Sequence, residues 1–331
     1  MKVESGDPGE LVYLSQADVE AAAPEHAELV DLVEGVFAAL GRGEVAMPSG
    51  PTLEPRSDAF LHAMAAYVSG ADQVGLKWLS GYANNKDRGL PFLTALIVLN
   101  DAETGLPIAI MDGAWITAHR TAAASAIAIR TLAAPDVDSL SIFGCGVQAR
   151  SHARVLPIAM PGLRRLLVHH PSIERAGAFA AEIENELPGM EVRAAEDLEE
   201  AVRSGRVLLS AGPPQPQPRP VIHAEWLAPD VLFLPLDFEA YLGPEVVAAM
   251  ELVVTDDAEK LSHFREQGFF ASGPPDVSSL GQLVAEGARA TTGRRRRILC
   301  LNLGLAAEDI AVASNILERA RAMGRGTVLP R

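Results

Sequence analysis

A short glycine-rich turn lies between two periodic stretches in the middle of the chain. Residues 139–143 form an apolar run that predicts a β-strand, Gly144-Cys145-Gly146 interrupts it, and residues 148–156 predict a helix. Glycines at such a turn let the backbone approach a phosphate, and the start of the helix offers unbonded N–H groups with partial positive charge. This pattern indicates recognition of a dinucleotide pyrophosphate. An ordinary strand–helix turn is the alternative, because a lone glycine loop is weak evidence.

A lysine interrupts an apolar segment upstream of this turn. In residues 74–79, Val74, Leu76 and Trp78 alternate with Gly75, Lys77 and Leu79, so Lys77 points away from the Trp78 face of the predicted strand. A lysine in such a strand is normally a solvated edge residue. The alternative is a lysine in a cleft that holds a carboxylate, where burial would also lower its pKa.

An arginine lies near the start of an alanine-rich helix predicted over residues 114–133. With Thr117 as the expected cap, Arg120 falls in the first turn, where the helix dipole disfavours a cation. A bound anion would remove that conflict, because the guanidinium and the helix start would both face it. The alternative is an ion pair with a nearby acid such as Asp112.

Two patterns of predicted elements must position these residues. The first part of the chain predicts strands over residues 59–68, 73–79, 92–99 and 107–111, the last two joined as a hairpin. From Ser139 onward, strands and helices alternate, which predicts parallel strands with helical crossovers. The fold class is therefore α/β. The proline-rich stretch 212–220 and the basic run Arg294–Arg297 predict surface loops.

Composition excludes several classes of protein. The 331 residues carry 28 basic and 43 acidic side chains, a net charge of −15, which argues against nucleic-acid or anionic-membrane partners. The two cysteines form no C-x-x-C motif, so neither a metal site nor a disulfide scaffold is indicated. No signal-peptide core and no membrane-length apolar run is present. A cytoplasmic protein without a membrane span is the prediction.

Several motifs occur together in a specific order. They are Gly75-Leu-Lys-Trp78, Ile116-Thr-Ala-His-Arg-Thr-Ala-Ala123, Gly144-Cys-Gly-Val-Gln-Ala149 and Leu303-Gly-Leu-Ala-Ala-Glu-Asp309. Over nearly its whole length the chain resembles the ornithine cyclodeaminase/μ-crystallin family. The resemblance implies a homodimer of two-domain subunits. Residues 1–118 and 304–331 would form an α+β substrate-binding and dimerisation domain, and residues 119–303 a Rossmann dinucleotide-binding domain.

The family resemblance also implies a reaction class. Its members transfer hydride between a nicotinamide and the α-carbon of a small amino or imino acid; they include ornithine and lysine cyclodeaminases, alanine dehydrogenases and ketimine reductases. A crystallin-like protein that binds NAD(P)H without turnover is the alternative. A Rossmann protein with a different cofactor is a third hypothesis.

Site residues are implied motif by motif. Lys77 would be a substrate-carboxylate ligand and a catalytic residue, and Arg120 would lie beside the carboxylate and the cofactor phosphates. Asp237 follows a predicted strand where the cyclodeaminases carry their catalytic aspartate. The implied cofactor contacts are Thr94, Arg120, Gly144, Gly146, Val147, Gln148 and Ser210.

The chain departs from the cyclodeaminases at two places. Asp237 is followed by Phe-Glu-Ala-Tyr241 instead of a glycine-rich turn with a lysine, so Asp237 is either an acid/base or a helix N-cap ahead of Pro244. The early substrate arginine of those enzymes is also missing. Ser49 stands near its place, and Arg56 is the nearest candidate for a substrate-binding arginine.

The sequence leaves the choice between NAD and NADP open. After the second Rossmann strand, an acidic residue would bind a ribose 2′-hydroxyl and an arginine would bind a 2′-phosphate. This chain has Val168-His-His-Pro-Ser172 at that position. His170 could donate to a ribose oxygen, assist a phosphate if protonated, or remain a solvated loop residue. NAD is favoured, with NADP possible.

Overall fold

The computed structural model describes residues 10–212, 221–288 and 296–330. The chain forms two compact units, one from the residues up to Arg120 together with those from Leu305 onward, and one from Thr121–Gly304. Most of the proline-rich stretch 212–220, and the first two arginines of the run 294–297, lie outside the described residues.

A mixed sheet of eight strands forms the base of the first unit. Its strands are β1 (Glu10–Leu14), β2 (Val45–Ala46), β3 (Thr52–Arg56), β4 (Ala59–Val68), β5 (Gln73–Tyr82), β6 (Leu93–Asn100), β7 (Pro107–Asp112) and β16 (Thr327–Pro330). The order is β16-β1-β7-β6-β5-β4-β2, and β3 pairs with β4. The β1–β7 pair is parallel and the other pairs are antiparallel.

Helix α10 (Ala306–Ala322) covers one face of this sheet. It packs against β4, β5 and β6, and against helix α2 (His26–Gly41), while the short helix α1 (Gln16–Ala21) lies after β1. A glycine permits the close approach, because a Cβ at Gly75 would lie 2.8 Å from Cδ1 of Ile310. The face of β5 that carries Gly75 and Lys77 is therefore the face beneath α10.

The second unit is a Rossmann-type parallel sheet with helical crossovers. Its strands are β8 (Ser139–Phe143), β9 (Arg165–His169), β10 (Glu191–Ala194), β11 (Val207–Ser210), β12 (Leu232–Pro235), β13 (Leu252–Thr255), β14 (Val277–Ser279) and β15 (Ile298–Leu301). Its helices are α4 (Val147–Ala159), α5 (Ile173–Glu186), α6 (Leu198–Ser204), α7 (Pro244–Ala248), α8 (Ala258–Glu266) and α9 (Leu280–Ala285). All strand pairs are parallel, and the order is β10-β9-β8-β11-β12-β15-β13-β14.

The strand order reverses at β8. From β8 the chain continues to β9 and β10 on one side, and it then returns so that β11 pairs with the other side of β8. Ligands of open parallel sheets bind outside the carboxyl ends of the strands at such a reversal. The turn at Gly144 follows β8 directly, so the predicted nucleotide loop lies at this point of the sheet.

The alanine-rich helix α3 spans Ala114–Leu132, so it begins in the first unit and ends in the second. Its start lies three residues before the predicted cap: the Asp112 carboxylate accepts the Ala114 N–H at 2.8 Å, and Thr117 lies inside the helix. The prediction that Thr117 caps the helix is wrong. Arg120 consequently lies in the second turn. Neither α3 nor another helix of the described ranges is both long and apolar enough to cross a membrane.

Most of the predicted strands and helices form, and some of them begin or end at other residues than predicted. Strands β4 and β8 have the predicted bounds, whereas β5 continues to Tyr82 and β15 ends at Leu301. The sequence analysis did not predict β2, β3, β14, β16, α8 or α9. These are short or exposed elements, such as β3, whose five residues are all exposed. Their apolar periodicity is too weak to mark them.

Candidate functional site

The turn after β8 has the backbone geometry of a phosphate-binding loop. Gly144 adopts φ 122°, and a Cβ there would lie 2.5 Å from the Ala211 carbonyl oxygen, so the position requires glycine. A Cβ at Gly146 would meet nothing within 4 Å, and no side chain caps helix α4 there. The first N–H groups of α4 therefore face open space, as an incoming anion requires.

Three further predicted cofactor contacts lie around this turn. Val147, the first residue of α4, is 70% exposed. The Gln148 side-chain oxygen is buried and has no hydrogen-bond partner among the described residues. His170 Nδ1 accepts the Ser172 N–H at 2.9 Å, which leaves Nε2 as the donor of a neutral imidazole.

A carboxylate is buried at the same edge of the sheet. Asp237 follows β12, is 2% exposed, and accepts hydrogen bonds from Ser210 Oγ at 2.6 Å and from the Gly212 N–H at 2.7 Å. Burial is the main cause that raises the pKa of Asp237 to about 6, and these hydrogen bonds oppose it. Ser210, predicted as a cofactor contact, donates to Asp237 in this structure.

Asp237 does not cap a helix. Helix α7 begins at Pro244, and its N-cap residue is Gly243, so the N-cap alternative for Asp237 is wrong. Instead, Asp237 begins a turn in which the Ala240 N–H donates to its carbonyl at 3.2 Å. The competing explanation for an aspartate at this position is thereby removed.

The residue after Asp237 is held in an unfavourable conformation. Phe238 has φ 58°, a left-handed conformation that costs a bulky side chain about 1–3 kcal/mol. Its ring packs against Phe264 and Phe269 with centroid distances of 5.0 and 5.8 Å, and Glu239 accepts the Phe270 N–H at 3.0 Å. Packing of the Phe238 ring against these two aromatic side chains therefore stabilises the turn after Asp237.

Lys77 is fully buried, which excludes the alternative of a solvated edge lysine. Strand β5 lies between β4 and β6, and Lys77 faces helix α10 with 0% exposure. Its Nζ donates to Asp309 Oδ2 at 2.5 Å. The lysine thus holds a carboxylate, and that carboxylate belongs to the chain itself.

Arg120 reaches the same acid. Its Nε lies 3.1 Å from Asp309 Oδ1 and its Nη1 lies 2.7 Å from Glu308 Oε2. The residue is 6% exposed. The alternative of an ion pair with an acid therefore holds, but the acids are Asp309 and Glu308 of α10; the Asp112 carboxylate accepts the Ala114 N–H at the start of α3. Two cations from β5 and α3 therefore converge on one carboxylate of α10.

The charges of this cluster act on Lys77 in opposite directions. Burial, which disfavours the ammonium ion, is the largest cause that lowers the pKa of Lys77 to about 8. The carboxylate of Asp309 raises the pKa, and the positive charge of Arg120 lowers it further. Lys77 is thus a cation that can lose its proton near neutral pH.

Two predicted residues lie elsewhere in the first unit. Thr94 is exposed on β6, on the face opposite to Lys77, and its hydroxyl lies 2.7 Å from that of Ser80. Arg56 is exposed at the end of β3. Neither is seen in contact with the Lys77–Arg120–Asp309 cluster within the described residues.

The sequence analysis missed partners that the fold supplies. Asp309 and Glu308 were noted only as part of a motif, although both are fully buried. One signal was available: Asp309 lies four and seven residues before Ala313 and Ile316, so it falls on the apolar stripe of the helix.

Comparison with protein-family models gives one match. The model described as the ornithine cyclodeaminase/mu-crystallin family matches residues 10–324. Among curated proteins, the nodulation efficiency protein NfeD of Rhizobium meliloti is 30% identical over 323 residues, which is 96% of this chain and 98% of that protein.

Solved structures also match the chain over nearly its whole length. The Δ1-pyrroline-2-carboxylate reductase of Thermococcus litoralis, solved with NADH and L-proline, has a TM-score of 0.84 and 28% identity, and the match covers 96% of this chain and 99% of that one. An archaeal alanine dehydrogenase dimer with bound NAD has a TM-score of 0.84 and 27% identity, covering 97% and 99% of the two chains.

Proposed function

Because the chain belongs to the ornithine cyclodeaminase/mu-crystallin family, we propose that it is an NAD(P)-dependent enzyme that transfers hydride at the α-carbon of a small amino or imino acid. Relatives with known activities include dehydrogenases, reductases and cyclodeaminases. The second unit would bind the dinucleotide, and the first would bind the substrate and form the dimer. A cytoplasmic location remains the prediction from the sequence.

One observation carries this proposal. A buried acid whose pKa is raised to about 6, Asp237, lies at the carboxyl edge of the sheet that carries the glycine turn. The two are linked through adjacent strands: Gly144 abuts the Ala211 carbonyl, and the next residue, Gly212, donates to Asp237. A proton-exchanging group beside a dinucleotide loop is what oxidation of an amine or reduction of an imine requires.

The second unit fits a dinucleotide at this turn. Gly144 and Gly146 would let the pyrophosphate approach the backbone, and the uncapped start of α4 would bind it, with Val147 and Gln148 alongside. His170 Nε2 would donate to a ribose oxygen. When bound, the nicotinamide supplies or accepts the hydride. NAD is the favoured form, with NADP possible.

In the first unit, Lys77 and Arg120 would bind the substrate carboxylate. Both already lie within bonding reach of the Asp309 carboxylate, so their donors are held in place, and their combined charge is balanced by Asp309 and Glu308. The Lys77 ammonium has three donors and gives one of them to Asp309, which leaves capacity for a second carboxylate. The roles of Arg56 in substrate binding and of Thr94 in cofactor binding remain predictions, and both residues lie on exposed parts of the first unit.

Asp237 would exchange a proton with the reacting nitrogen or with water. Because the pKa of Asp237, about 6, lies close to neutral pH, its carboxyl can both accept and release a proton there. Its oxygens are held in place by hydrogen bonds from Ser210 Oγ and from the Gly212 N–H. Lys77, with its lowered pKa, is the second candidate for proton transfer.

The test is a binding titration combined with a turnover assay. NADH and NADPH fluorescence titrations are run first, followed by cofactor oxidation with a panel of α-keto acids plus amines and of cyclic imines. Binding together with oxidation supports the enzyme. Binding without oxidation across the panel would instead support the crystallin-like protein, and the absence of nicotinamide binding would support a different cofactor.

Variants then separate the roles. Lys77→Met and Arg120→Met should each raise the substrate KM, because each removes a charge-assisted hydrogen bond of roughly 1.5–3 kcal/mol. Lys86→Met, at an exposed lysine of the same unit, is the control.

Asp237→Asn should lower turnover about 10²–10⁴-fold and leave the NADH Kd within about threefold. Unchanged turnover would remove Asp237 from the proposal.

We propose a homodimer because the sheet of the first unit carries an exposed apolar side chain on the face opposite α10. On the side away from α10, neighbouring strands align Leu76 with Val98 and Trp78 with Leu96. Leu96 is 46% exposed. An exposed apolar patch of this kind marks an interaction surface, and the archaeal alanine dehydrogenase is itself a dimer.

Light scattering coupled to size exclusion tests the dimer. Leu96→Asp should shift the protein towards the monomer, because a carboxylate would be buried without a partner. Leu106→Asp, at a 38% exposed leucine outside this face, should leave the mass unchanged. A dimer that tolerates Leu96→Asp would place the interface elsewhere.

A further inference from the structure

We propose that Arg150 is a positioning residue for the dinucleotide: its guanidinium holds the Cys145 carbonyl, and this bond turns the Gly146 N–H towards the pyrophosphate. The inference rests on the proposed binding of a dinucleotide at the glycine turn. It gives a role to the residue that directly follows the motif Gly144–Ala149, to which neither the motif nor the family resemblance assigned one.

The Arg150 guanidinium joins the glycine turn to helix α5. Its Nη1 donates to the Cys145 carbonyl at 2.6 Å, and its Nε donates to the two carboxylate oxygens of Glu182 at 2.9 and 3.0 Å. Its Cζ lies 5.4 Å from the centre of the ring of Phe179, a buried residue of α5. Because a planar guanidinium carries donors on more than one edge, it satisfies both acceptors at once and is fixed in one orientation.

The bond from Arg150 completes the hold on the glycine turn. At the start of the turn, the Gly144 N–H donates to the His169 carbonyl of β9 at 2.9 Å. At its end, the first carbonyl of the α4 hydrogen-bond ladder belongs to Gly146, which accepts the Arg150 N–H at 3.1 Å. The Cys145 carbonyl lies one residue before that ladder, so its donor comes from the Arg150 side chain. Both sides of the turn are therefore tied to neighbouring elements.

The same bond fixes the direction of the next N–H group. In a planar trans peptide the C=O and the N–H point in opposite directions, and none of the described peptide bonds is cis. With the Cys145 carbonyl held by Arg150, the Gly146 N–H points away from the guanidinium. Within the described ranges this N–H has no hydrogen-bond partner, and a Cβ at Gly146 would meet no atom within 4 Å. An anion at the start of α4 would supply the missing acceptor.

Attraction by charge does not explain this arrangement. Arg150 is paired with Glu182, so its charge is balanced locally. Arg154, one turn further along α4, donates to Glu182 at 3.2 Å and to the two oxygens of Glu186 at 2.7 and 2.8 Å. Arg154 thus carries the same charge in the same network, and no bond from it to the turn is found among the described residues. It offers a matched control for Arg150.

The first test uses Cys145 as a reporter of the turn and needs no cofactor. Iodoacetamide labelling is followed by mass spectrometry, which separates Cys145, 7% exposed, from Cys300, 1% exposed. Arg150→Met should raise the labelling rate of Cys145 at least about threefold, because the turn opens more often. Burial raises the pKa of the Cys145 thiol, and the charges of Arg175 and Arg150 oppose that rise. Loss of the Arg150 charge alone would therefore reduce the thiolate and slow the labelling.

The second test measures NADH affinity by fluorescence titration. Arg150→Met should raise the NADH Kd about tenfold, because the turn is less often in the orientation that binds. Arg154→Met removes the same charge, which salt screens at this exposed site, so its Kd and Cys145 labelling should stay within about twofold of wild type. Glu182→Met should also raise the Kd, since Arg150 loses its partner on α5. Attraction by charge would instead predict tighter binding in Glu182→Met.

The two tests together decide the inference. Unchanged labelling of Cys145 in Arg150→Met would show that Arg150 does not hold the turn, even if the NADH Kd rises. Tighter NADH binding in Glu182→Met would show that charge and not orientation is decisive. If the wild type binds no NADH while Arg150→Met still labels faster, the hold of Arg150 on the turn stands and the proposed function alone is refuted.

Discussion

Two buried aspartates, one in each unit, lie in opposite electrostatic surroundings. Asp309 of α10 is fully buried between Lys77 and Arg120, whereas Asp237 after β12 is 2% exposed among neutral donors. A buried charge is tolerated when an opposite charge compensates it, and it shifts its pKa when none does. The first aspartate therefore serves to hold cations, and the second is suited to exchange a proton.

The comparison also explains why two groups titrate near neutral pH. Burial raises the pKa of Asp237 to about 6 and lowers that of Lys77 to about 8, because in both cases it disfavours the charged form. In Lys77 the nearby Asp309 limits the shift, and in Asp237 the hydrogen bonds do. Between these two values Lys77 is mostly charged and Asp237 mostly ionised.

The largest expected effect comes from removing the compensated acid. Asp309→Asn should lower the free energy of unfolding by about 3–5 kcal/mol, because it leaves Lys77 and Arg120 buried with one acid fewer. Chemical denaturation measures the loss. Asp237→Asn is the matched variant, with an expected loss of about 1 kcal/mol, since neutral donors rather than cations lose their partner. Equal losses would contradict the contrast between the two aspartates.

The second prediction concerns the hydrogen bond that limits the rise in the pKa of Asp237. Ser210→Ala removes a hydrogen bond to the ionised carboxyl worth roughly 1.5–3 kcal/mol, so the pKa of Asp237 should rise by about one to two units. The carboxyl C=O infrared band, followed against pH and assigned by difference with Asp237→Asn, measures this pKa. Ser141→Ala, at another buried serine of the same sheet, should leave this titration unchanged. A pKa that stays near its wild-type value would mean that burial alone sets it.

A third prediction concerns Lys77. As pH rises through about 8 the ammonium loses its proton, so binding of a carboxylate should weaken about tenfold per pH unit above that value and be constant below it. The inhibition constant of pyruvate, which has no titrating nitrogen, is the measurement. The NADH Kd over the same range is the control. A flat pyruvate profile up to pH 10 would exclude Lys77 from carboxylate binding.

The smallest expected change in stability comes from breaking an ion pair on the protein surface. Arg203 and Glu199 pair at 2.6 Å on the surface of α6, with about half of each side chain exposed. Glu199→Gln should change the free energy of unfolding by less than about 0.5 kcal/mol, because water screens the pair. A loss similar to that of Asp309→Asn would show that burial is not what makes the inner cluster strong.

Local periodicity predicted much of the fold. Strands β4 and β8 have the predicted ends, and the alternation after Ser139 correctly predicted a parallel sheet with crossovers, because each element carries its own apolar repeat. The predicted start of α3 at Ala114 is correct, and only the predicted cap, Thr117, is wrong. Asp112 serves that helix start, and nothing local favours it over Thr117.

The site was predicted in its residues and not in their partners. Lys77, Arg120 and Asp237 attract notice by type and position, and the glycine turn by spacing. The acid that holds Lys77 is 232 residues away in the chain, and the turn that follows Asp237 depends on packing of Phe238 against Phe264 and Phe269. A short window of sequence contains no information about such distant contacts.

Residue order alone was enough to specify a parallel nucleotide-type sheet, the glycine turn that follows its first strand, and the family to which the chain belongs. The charge state of each key side chain was decided by the folded chain. A pKa depends on how much water and which charges surround the group, and those surroundings are assembled from distant segments. Lys77 is a buried, paired cation, and Asp237 a buried acid among neutral donors, for that reason.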